Sequence, residues 1–365
     1  MSARHDDSDL FALRRAIDSI DDRIHDLLME RTEKVMEVGR IKGSDPDRET
    51  PFYRPEREAD IHRRLEARHR GPLPKVALHR IWREIISASL SLEKKLSVVY
   101  LGSEAAFAHR AALKQFGSSF ALVPAATIDE LFREVEAKRA DYGVAPVENS
   151  SEGMVTHTLD RFVDSPLSIC GEVYLSTTHA LLSMESAMER IHTVYATSLA
   201  ASQCGAWLER RLPAIRVRGV ESTAAAVGIV CREAGSAAIA SPELPDAQGL
   251  VVLAKHIEDR ADENRFLVIG RQGPGRSGRD KTSLLFFFRD QPGFLYQVLG
   301  IFARRGLNLT RIESRPSRKQ AWEYLFFLDL AGHRDDPPVA GALEELAAMV
   351  GVTVKVLGSY PECAL

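Results

Sequence analysis

The feature that most constrains this sequence is a long helical segment near its start. Its apolar residues recur at alternating steps of three and four: Leu10, Leu13, Ile17, Ile20, Ile24 and Leu27, then Val38 and Ile41. This spacing predicts a helix over residues 10–42 with one apolar seam, a term we keep for these residues. Gly43 and Pro46 are typical of its end.

Cations stand where the seam should continue. Its rhythm predicts apolar residues at positions 31 and 34, but the chain has Arg31 and Lys34. A buried cation is costly unless it is paired, so we expect Arg31 to face an acidic side chain or an anionic ligand. Arg31 and Lys42 lie about 20° from the same helix face, whereas Arg14 lies roughly 25 Å from Arg31 along the axis. Two antiparallel helices in a dimer could bring Arg14 and Arg31 together. A solvated coiled coil is the alternative.

Composition limits the classes of function. The 365 residues are 45% hydrophobic and 27% charged, which predicts two or three globular domains. A net charge of -3 gives no basic field for nucleic acid or an anionic membrane, so neither is expected as a partner. We expect no signal peptide before the first helix, and no apolar run approaches membrane-spanning length.

The cysteines indicate a reducing compartment. Cys170, Cys204, Cys231 and Cys363 are far apart and form no CxxC or Cys/His cluster. We therefore predict a cytoplasmic protein with reduced thiols and no zinc site. The chain also lacks a GxGxxG motif and a P-loop, so no metal or other cofactor is expected.

Residues 1–95 are predicted to be all-helical, with further helices over 55–68 and 75–94. The segments ALRRAIDSIDDRIHDLLMERTEKVMEVGRIK, FYRPEREAD and IWREIISASLSLE resemble the helical chorismate mutase domain of the fused chorismate mutase–prephenate dehydratases. The resemblance implies seven catalytic residues: Arg14, Arg31, Lys42, Arg57, Glu58, Ser89 and Glu93. It implies that one arginine of each site comes from the other subunit of a homodimer or dimer of dimers.

The reaction suits such a site, since the rearrangement of dianionic chorismate is pericyclic and needs no nucleophile or base. Catalysis would rest on gripping a compact conformer and stabilising charge at the ether oxygen, with Lys42 as the cation and Glu58 on the substrate hydroxyl. Many relatives have Gln where this chain has Glu93. A glutamate can donate to the ether oxygen only when protonated, so the rate should fall as Glu93 ionises. Arg54 replaces an Asp of some relatives.

Residues 96–270 alternate predicted strands and helices twice, which indicates two α/β lobes with largely parallel sheets and a ligand cleft between them. The motifs PVENSSEGMV, SQCGAWL, ESTAAAV and IEDR resemble the prephenate dehydratase domain, whose two-lobed fold is like that of periplasmic binding proteins. The resemblance implies that six residues act on prephenate: Asn149, Ser150, Gln203, Asn264, Arg265 and Phe266.

Several departures from the dehydratase pattern fall on this predicted pocket. The relatives' GPxGTFS is here GSEAAFA, with Ala106, and Ala196 replaces a serine. Asn264 stands where relatives have the threonine that is the presumed proton donor to the leaving hydroxide. An amide has no readily transferable proton, although Arg265 could still bind a carboxylate. Three alternatives stay open: a dehydratase with a rearranged pocket, a fused prephenate decarboxylase, or a degenerate, non-catalytic regulatory domain behind a monofunctional chorismate mutase.

Residues 271–280 are rich in glycine and predicted to be a flexible linker. Residues 281–365 have a βαββαβ order, which is ferredoxin-like, and resemble an ACT regulatory domain. The resemblance implies an effector site for phenylalanine built from Gly293, Phe294 and Leu295, and from Glu313, Ser314, Arg315 and Pro316. Phe294 replaces the alanine of the relatives' GAL motif and could fill or reshape that site. A plain dimerisation module is the alternative. Together the motifs predict an enzyme of phenylalanine biosynthesis.

Overall fold

The computed structural model describes residues 3–43, 52–104, 106–150, 153–242, 249–260, 262–289, 291–316 and 323–363. The chain divides into two compact units. The first comprises residues 1–145, 157–173 and 267–364, and the second comprises residues 146–156 and 174–266. Within the described ranges, no helix has both the length and the apolar character needed to cross a bilayer.

The first unit starts with three helices: α1 (Ala3–Gly43), α2 (Pro55–Arg68) and α3 (Lys75–Glu93). Proline at the first position suits the start of α2, because its missing N–H would have no partner there. α1 packs on α3. The apolar seam of α1 nevertheless stays largely open: Ile17, Ile24 and Leu27 are 56%, 50% and 61% exposed. Burial of apolar surface is the main source of helix stability, so this face needs a partner.

A sheet with strand order β2-β1-β3-β11-β5 follows, with β4 paired to β3. Its elements are β1 (Ser97–Leu101), α4 (Phe107–Phe116), β2 (Ala121–Ala125), α5 (Ile128–Glu136), β3 (Tyr142–Asn149), β4 (Gly153–Met154), α6 (Thr156–Asp164), β5 (Ser168–Thr177) and β11 (Asp262–Gly270). Strands β1, β2 and β3 pair in parallel, as the alternation of strands and helices predicts. The chain leaves the first unit along β3 and again along β5, and it returns at the start of α6 and along β11.

The second unit holds a sheet of order β10-β6-β9-β7-β8. Its elements are β6 (Ala180–Ser183), β7 (Thr193–Ala196), α7 (Ser198–Gln203), α8 (Gly205–Arg211), β8 (Arg216–Gly219), α9 (Thr223–Val230), β9 (Ser236–Ala240) and β10 (Val251–Lys255). The strands β7, β8 and β9 are parallel, whereas β6 runs antiparallel to β9 and β10. The sheet is therefore mixed.

The C-terminal domain, part of the first unit, has the predicted βαββαβ order: β12 (Asp280–Arg289), α10 (Phe294–Arg304), β13 (Leu309–Pro316), β14 (Glu323–Ala331), α11 (Pro337–Ala348) and β15 (Val352–Pro361). Its antiparallel sheet has the order β13-β14-β12-β15. The apolar side of the sheet packs on α10 and α11 around Phe286, Phe302 and Leu328.

The segment predicted to be a flexible linker makes several specific contacts. Arg271 donates to the carbonyls of Val135 and Ala140 at 3.2 and 3.1 Å. The Ser277 hydroxyl donates to Asp280 at 2.6 Å, and both residues are buried. These contacts tie the segment to the domains on either side of it, because buried hydrogen bonds restrict a chain that composition alone would leave free.

Candidate active sites

The first site lies where α1 meets α3. Arg31 donates to the Ser89 hydroxyl, which in turn donates to the Ile85 carbonyl at 2.7 Å. Glu93 is one turn after Ser89 and on the same face of α3, and its side chain lies against Gly39 of α1. Burial lowers the pKa of Arg31, and the Glu93 carboxylate acts in the opposite direction. Three of the predicted mutase residues are therefore gathered here.

Other predicted mutase residues lie elsewhere. Arg14 is exposed on α1, about 25 Å from Arg31 along the helix. Arg57 is exposed and bonded to Asp60 at 3.0 Å. The prediction for Lys42 falls on a side chain outside the described residues.

Glu58 has a partner that the sequence did not indicate. It is 6% exposed and forms an ion pair with Arg83 of α3. Burial raises the pKa of the Glu58 carboxyl, and Arg83 opposes that effect. Arg83 precedes Ser89 by six residues, about 9 Å along α3 and 120° around it. The contact of Glu58 with a substrate hydroxyl stays a prediction.

The second site is a polar cluster in the second unit, centred on Asp262. Its carboxylate accepts three hydrogen bonds: from Asn149 Nδ2 at 2.8 Å, from Ser150 Oγ at 2.8 Å and from Gln203 Nε2 at 2.9 Å. Asn149 ends β3, Gln203 ends α7 and Asp262 begins β11. Three residues predicted from two separate motifs are thus joined by a fourth that was not predicted. We call Asn149, Ser150, Gln203 and Asp262 the Asp262 cluster.

The remaining predicted residues of this domain differ in their surroundings. Asn264 Oδ1 accepts from Asn149 Nδ2 at 3.0 Å, at the edge of the Asp262 cluster. Arg265 is only 2% exposed, and its guanidinium lies 5.9 Å from the centre of the Tyr174 ring. The Phe266 side chain is buried.

A third group of predicted residues lies in the C-terminal domain. Gly293 precedes α10 with φ 79°, a left-handed conformation that favours glycine. The Phe294 ring packs 4.5 Å from the Phe288 ring and lines a cavity of about 160 Å³ together with Gln291 and Val350. This volume is below the roughly 300–1,000 Å³ of ordinary ligand pockets. Leu295 packs against the domain core.

The second effector motif lies on β13, at the edge of the same sheet farthest from β15. Glu313 and Arg315 are partly buried, while Ser314 and Pro316 are exposed. Arg315 donates to both carboxylate oxygens of Asp160 on α6, at 2.8 and 3.4 Å. None of these four residues lines the Phe294 cavity.

Family models match the chain in three consecutive segments: chorismate mutase type II over residues 13–94, prephenate dehydratase over 98–274 and the ACT domain over 282–348. A bifunctional chorismate mutase/prephenate dehydratase of Aquifex aeolicus is 45% identical over 98% of this chain and 99% of its own length. The Pseudomonas aeruginosa enzyme of the same name is 43% identical over 99% of this chain and 100% of its own. This chain belongs to the bifunctional chorismate mutase/prephenate dehydratase family.

A solved structure supports the dehydratase assignment. The prephenate dehydratase of Arthrobacter aurescens, solved in complex with L-Phe, is 33% identical, covers 73% of this chain and 90% of its own, and has a TM-score of 0.65. The chain therefore combines a helical chorismate mutase domain, an α/β prephenate dehydratase domain and an ACT domain.

Within this family assignment, sequence reasoning missed three polar residues: Arg83, His179 and Asp262. His179 is buried, with Nε2 2.8 Å from Gln203 Oε1. An acidic residue before a strand is ordinarily solvated, so Asp262 gave no local sign of burial. The one available hint was its position two residues before Asn264, close to a residue already singled out. Among the described residues, no cluster of metal-ligating side chains occurs.

Proposed function

We propose that this protein converts chorismate to prephenate in its helical domain and converts that prephenate to phenylpyruvate in its dehydratase domain. The observation that carries the first step is the grouping of Arg31, Ser89 and Glu93 at the contact of α1 with α3. A partly buried arginine is a strong partner for a carboxylate because its hydrogen bonds are charge-assisted. Glu93 and Ser89 add hydrogen-bonding groups beside it.

This arrangement fits a pericyclic rearrangement. Chorismate must be held in a compact conformer, and charge develops at the ether oxygen as its bond breaks. Arg31 would bind one carboxylate, and Lys42 and protonated Glu93 would stabilise the ether oxygen. The reaction needs no proton abstraction, so the absence of a histidine near Arg31 among the described contacts is no obstacle.

We further propose that two copies of the chain pack antiparallel along α1. The exposed seam supplies the apolar surface that such a dimer would bury. In an antiparallel pair, Arg14 of one copy comes opposite Arg31 of the other when the helices cross near residues 22 and 23. That crossing point lies within a few residues of the middle of the seam, which runs from Leu10 to Ile41. The dimer would therefore complete two sites with one arginine exchanged.

Mixing two inactive variants tests this arrangement directly. Arg14→Ala and Arg31→Ala should each lack mutase activity, because every site loses one arginine. After the two are unfolded and refolded together, half of the dimers should be mixed, each with one intact site, which restores about a quarter of wild-type activity. No recovery, in a mixture shown to contain mixed dimers, would exclude a shared site.

The Asp262 cluster supports action on prephenate in the second step. It gathers amide and hydroxyl groups able to bind a carboxylate or hydroxyl of the substrate. Dehydration removes carbon dioxide and hydroxide, and a proton must reach the hydroxide as it leaves. Asn264 can hydrogen-bond that oxygen but has no proton to give, so another group must supply it in this chain.

Asn264 also favours a second candidate, a decarboxylase that releases carbon dioxide from prephenate and keeps the hydroxyl group. In that reaction, hydroxide does not leave, and a hydrogen-bonding amide without a transferable proton is sufficient. A proton is then taken up by carbon in place of the carboxylate.

A product assay separates these functions. The purified protein is supplied with chorismate at neutral pH, and the keto acid is identified by mass and absorbance. We expect phenylpyruvate to form at a rate comparable to that of prephenate formation. A hydroxylated, non-aromatic product would establish the decarboxylase. Prephenate that accumulates unchanged would leave a monofunctional mutase, and unchanged chorismate would exclude the first step as well.

We also propose that phenylalanine regulates the protein through the ACT domain. Two cations of that domain hold α6: Arg315 binds Asp160, and Lys355 Nζ donates to the carbonyls of Phe162 and Ser165 at 2.8 and 2.5 Å. A cation at a helix C-terminus satisfies its last carbonyls and its dipole. α6 begins at Thr156, seven residues after Asn149 in sequence, so a change at Arg315 has a short route along the chain to the Asp262 cluster.

The four cysteines are free thiols. Together with a pathway that uses soluble dianions, they support a cytoplasmic location for this protein.

A further inference from the structure

We propose that Asp262 is a positioning residue for the reaction of prephenate, acting through Asn149 and Gln203. This inference rests on the proposed function of the dehydratase domain. It assigns a role to a carboxylate that no motif marks, and it explains how residues from separate parts of the chain are held in one geometry.

The orientation of each amide follows from Asp262. An ionised carboxylate only accepts hydrogen bonds, so the nitrogens of Asn149 and Gln203 must both face Asp262 Oδ2. The oxygen of Gln203 then faces His179, and His179 Nε2 must donate to it at 2.8 Å. Gln203 is therefore held at both ends. Without Asp262, either amide could turn over and offer the substrate an acceptor in place of a donor.

Ser150 is held in the same way. Its hydroxyl donates to Asp262 Oδ1 at 2.8 Å and accepts from the backbone N–H of Glu263 at 2.9 Å. Its own N–H donates to the Glu263 carbonyl at 2.9 Å. The end of β3 is thereby fixed to the start of β11. Asp262 is 3% exposed, and a carboxylate buried this far is stable only while its oxygens are hydrogen-bonded.

Asp262→Asn is the sharpest substitution, because it keeps the size of the side chain. One oxygen becomes an NH2 group, so the new amide can no longer accept from Asn149 and Gln203 at one position while also accepting from Ser150. At least one of the two functional amides must move. A misplacement of about 1 Å can cost on the order of 100-fold in rate.

The experiment measures prephenate consumption and chorismate mutase activity in the same full-length proteins. We expect Asp262→Asn to lower kcat for prephenate roughly 10- to 100-fold, to change KM by less than kcat, and to leave mutase activity within twofold. Asp259→Asn is the matched control. Asp259 is another carboxylate of this unit, and it caps α8 by accepting from the N–H groups of Ala206 and Trp207, both at 2.8 Å. This control should keep kcat within about threefold.

A double-mutant cycle tests whether Asp262 acts through Gln203. If it does, adding Asp262→Asn to Gln203→Ala should cost much less than it costs in the wild type. Fully multiplicative losses would overturn the proposal, as would a kcat within twofold of wild type in Asp262→Asn. Equal losses in the Asp259 and Asp262 variants would also overturn it, since they would indicate a general loss of structure. A wild-type protein that does not consume prephenate would refute the proposed function instead, and that result is recognised before any variant is compared.

Discussion

The two candidate sites differ in how their polar side chains are held in place. In the helical domain, Arg31 lies beside an apolar seam that one chain leaves exposed, and Arg14 is about 25 Å away along the same helix. In the second unit, the Asp262 cluster is complete in one chain, and a buried carboxylate orients its members. In the proposed dimer, assembly would preorganise the mutase site, whereas hydrogen bonds within one chain preorganise the Asp262 cluster.

The largest expected effect is a loss of mutase activity that leaves the prephenate reaction unchanged. Arg31→Ala removes the charged hydrogen-bond donor beside Ser89 and should lower mutase kcat/KM roughly 10²- to 10³-fold. Consumption of added prephenate should stay within twofold, because the Asp262 cluster shares no residue with the mutase site. Lys34→Ala is the control, since Lys34 lies on the same helix and is exposed in an ion pair with Glu37 at 3.2 Å. A loss of prephenate activity in Arg31→Ala would break the comparison.

The ion pair between Arg315 and Asp160 could carry control by phenylalanine to the second site. Arg315→Ala removes the partner of Asp160 on α6 and should reduce inhibition of prephenate consumption by phenylalanine. An effector typically changes the affinity for a ligand at another site by 5- to 150-fold. In Arg315→Ala, we expect this factor for phenylalanine to fall towards one. The measurement is prephenate consumption against phenylalanine concentration, with uninhibited activity unchanged.

Arg279→Ala serves as the control for that experiment, because Arg279 pairs with Glu362 of the C-terminal segment but is 76% exposed. Asp160→Asn should reproduce the effect of Arg315→Ala, since both break one ion pair. Undiminished inhibition in both variants would exclude α6 as the route of control.

Features of the two sites that depend on neighbouring residues could be predicted from the sequence, whereas features that depend on distant contacts could not. The bounds of α2 and the βαββαβ order follow from helix periodicity and turn residues, and both agree with the structure. The role of Asp262 was not predictable, because its burial depends on contacts 59 and 113 residues away in sequence. The ion pair of Glu58 with Arg83 is hidden for the same reason. The antiparallel β6 also escaped prediction, because strand order is set by tertiary packing and not by alternation.

A smaller effect is expected for the pH dependence of the mutase, which depends on Glu93. If Glu93 donates a hydrogen bond to the ether oxygen, which only a protonated carboxyl can do, mutase activity should fall as the pH rises from 5 to 8. Ionised Glu93 would instead pair with Arg31, whose pKa it raises against the lowering effect of burial. Glu93→Gln donates at every pH, so its profile should be flat, and it should exceed the wild-type rate at pH 8. Glu33→Gln, an exposed residue of α1, should keep the wild-type profile. A flat wild-type profile would contradict this role for Glu93.

The smallest expected effect concerns the acid stability of the helical domain alone. The rings of His62 on α2 and His79 on α3 stack at 4.6 Å, and His79 pairs with Glu66 at 2.8 Å. Burial lowers the pKa of His62 to about 4, with further lowering by Arg83 and His79 and an opposing effect of Glu66. The unfolded chain takes up this proton near pH 6.5 and the folded chain only near pH 4. Stability is therefore fully present above pH 6.5 and is lost as the pH falls towards 4.

His62→Phe keeps a neutral ring in the stack and should remove this dependence. Both proteins are heated at pH 6.5 and at pH 4.5, and mutase activity is then assayed at pH 7. Between these two pH values, we expect the temperature of half-inactivation to fall by about 2–4 °C more in the wild type than in His62→Phe. His25→Gln is the control, because His25 is exposed on α1. The prephenate activity should show no such difference between wild type and His62→Phe, since His62 lies outside the second unit. An equal shift in the temperature of half-inactivation of both activities would mean that the helices and the Asp262 cluster unfold together. The two sites would then belong to one cooperative unit, although their polar groups are held differently.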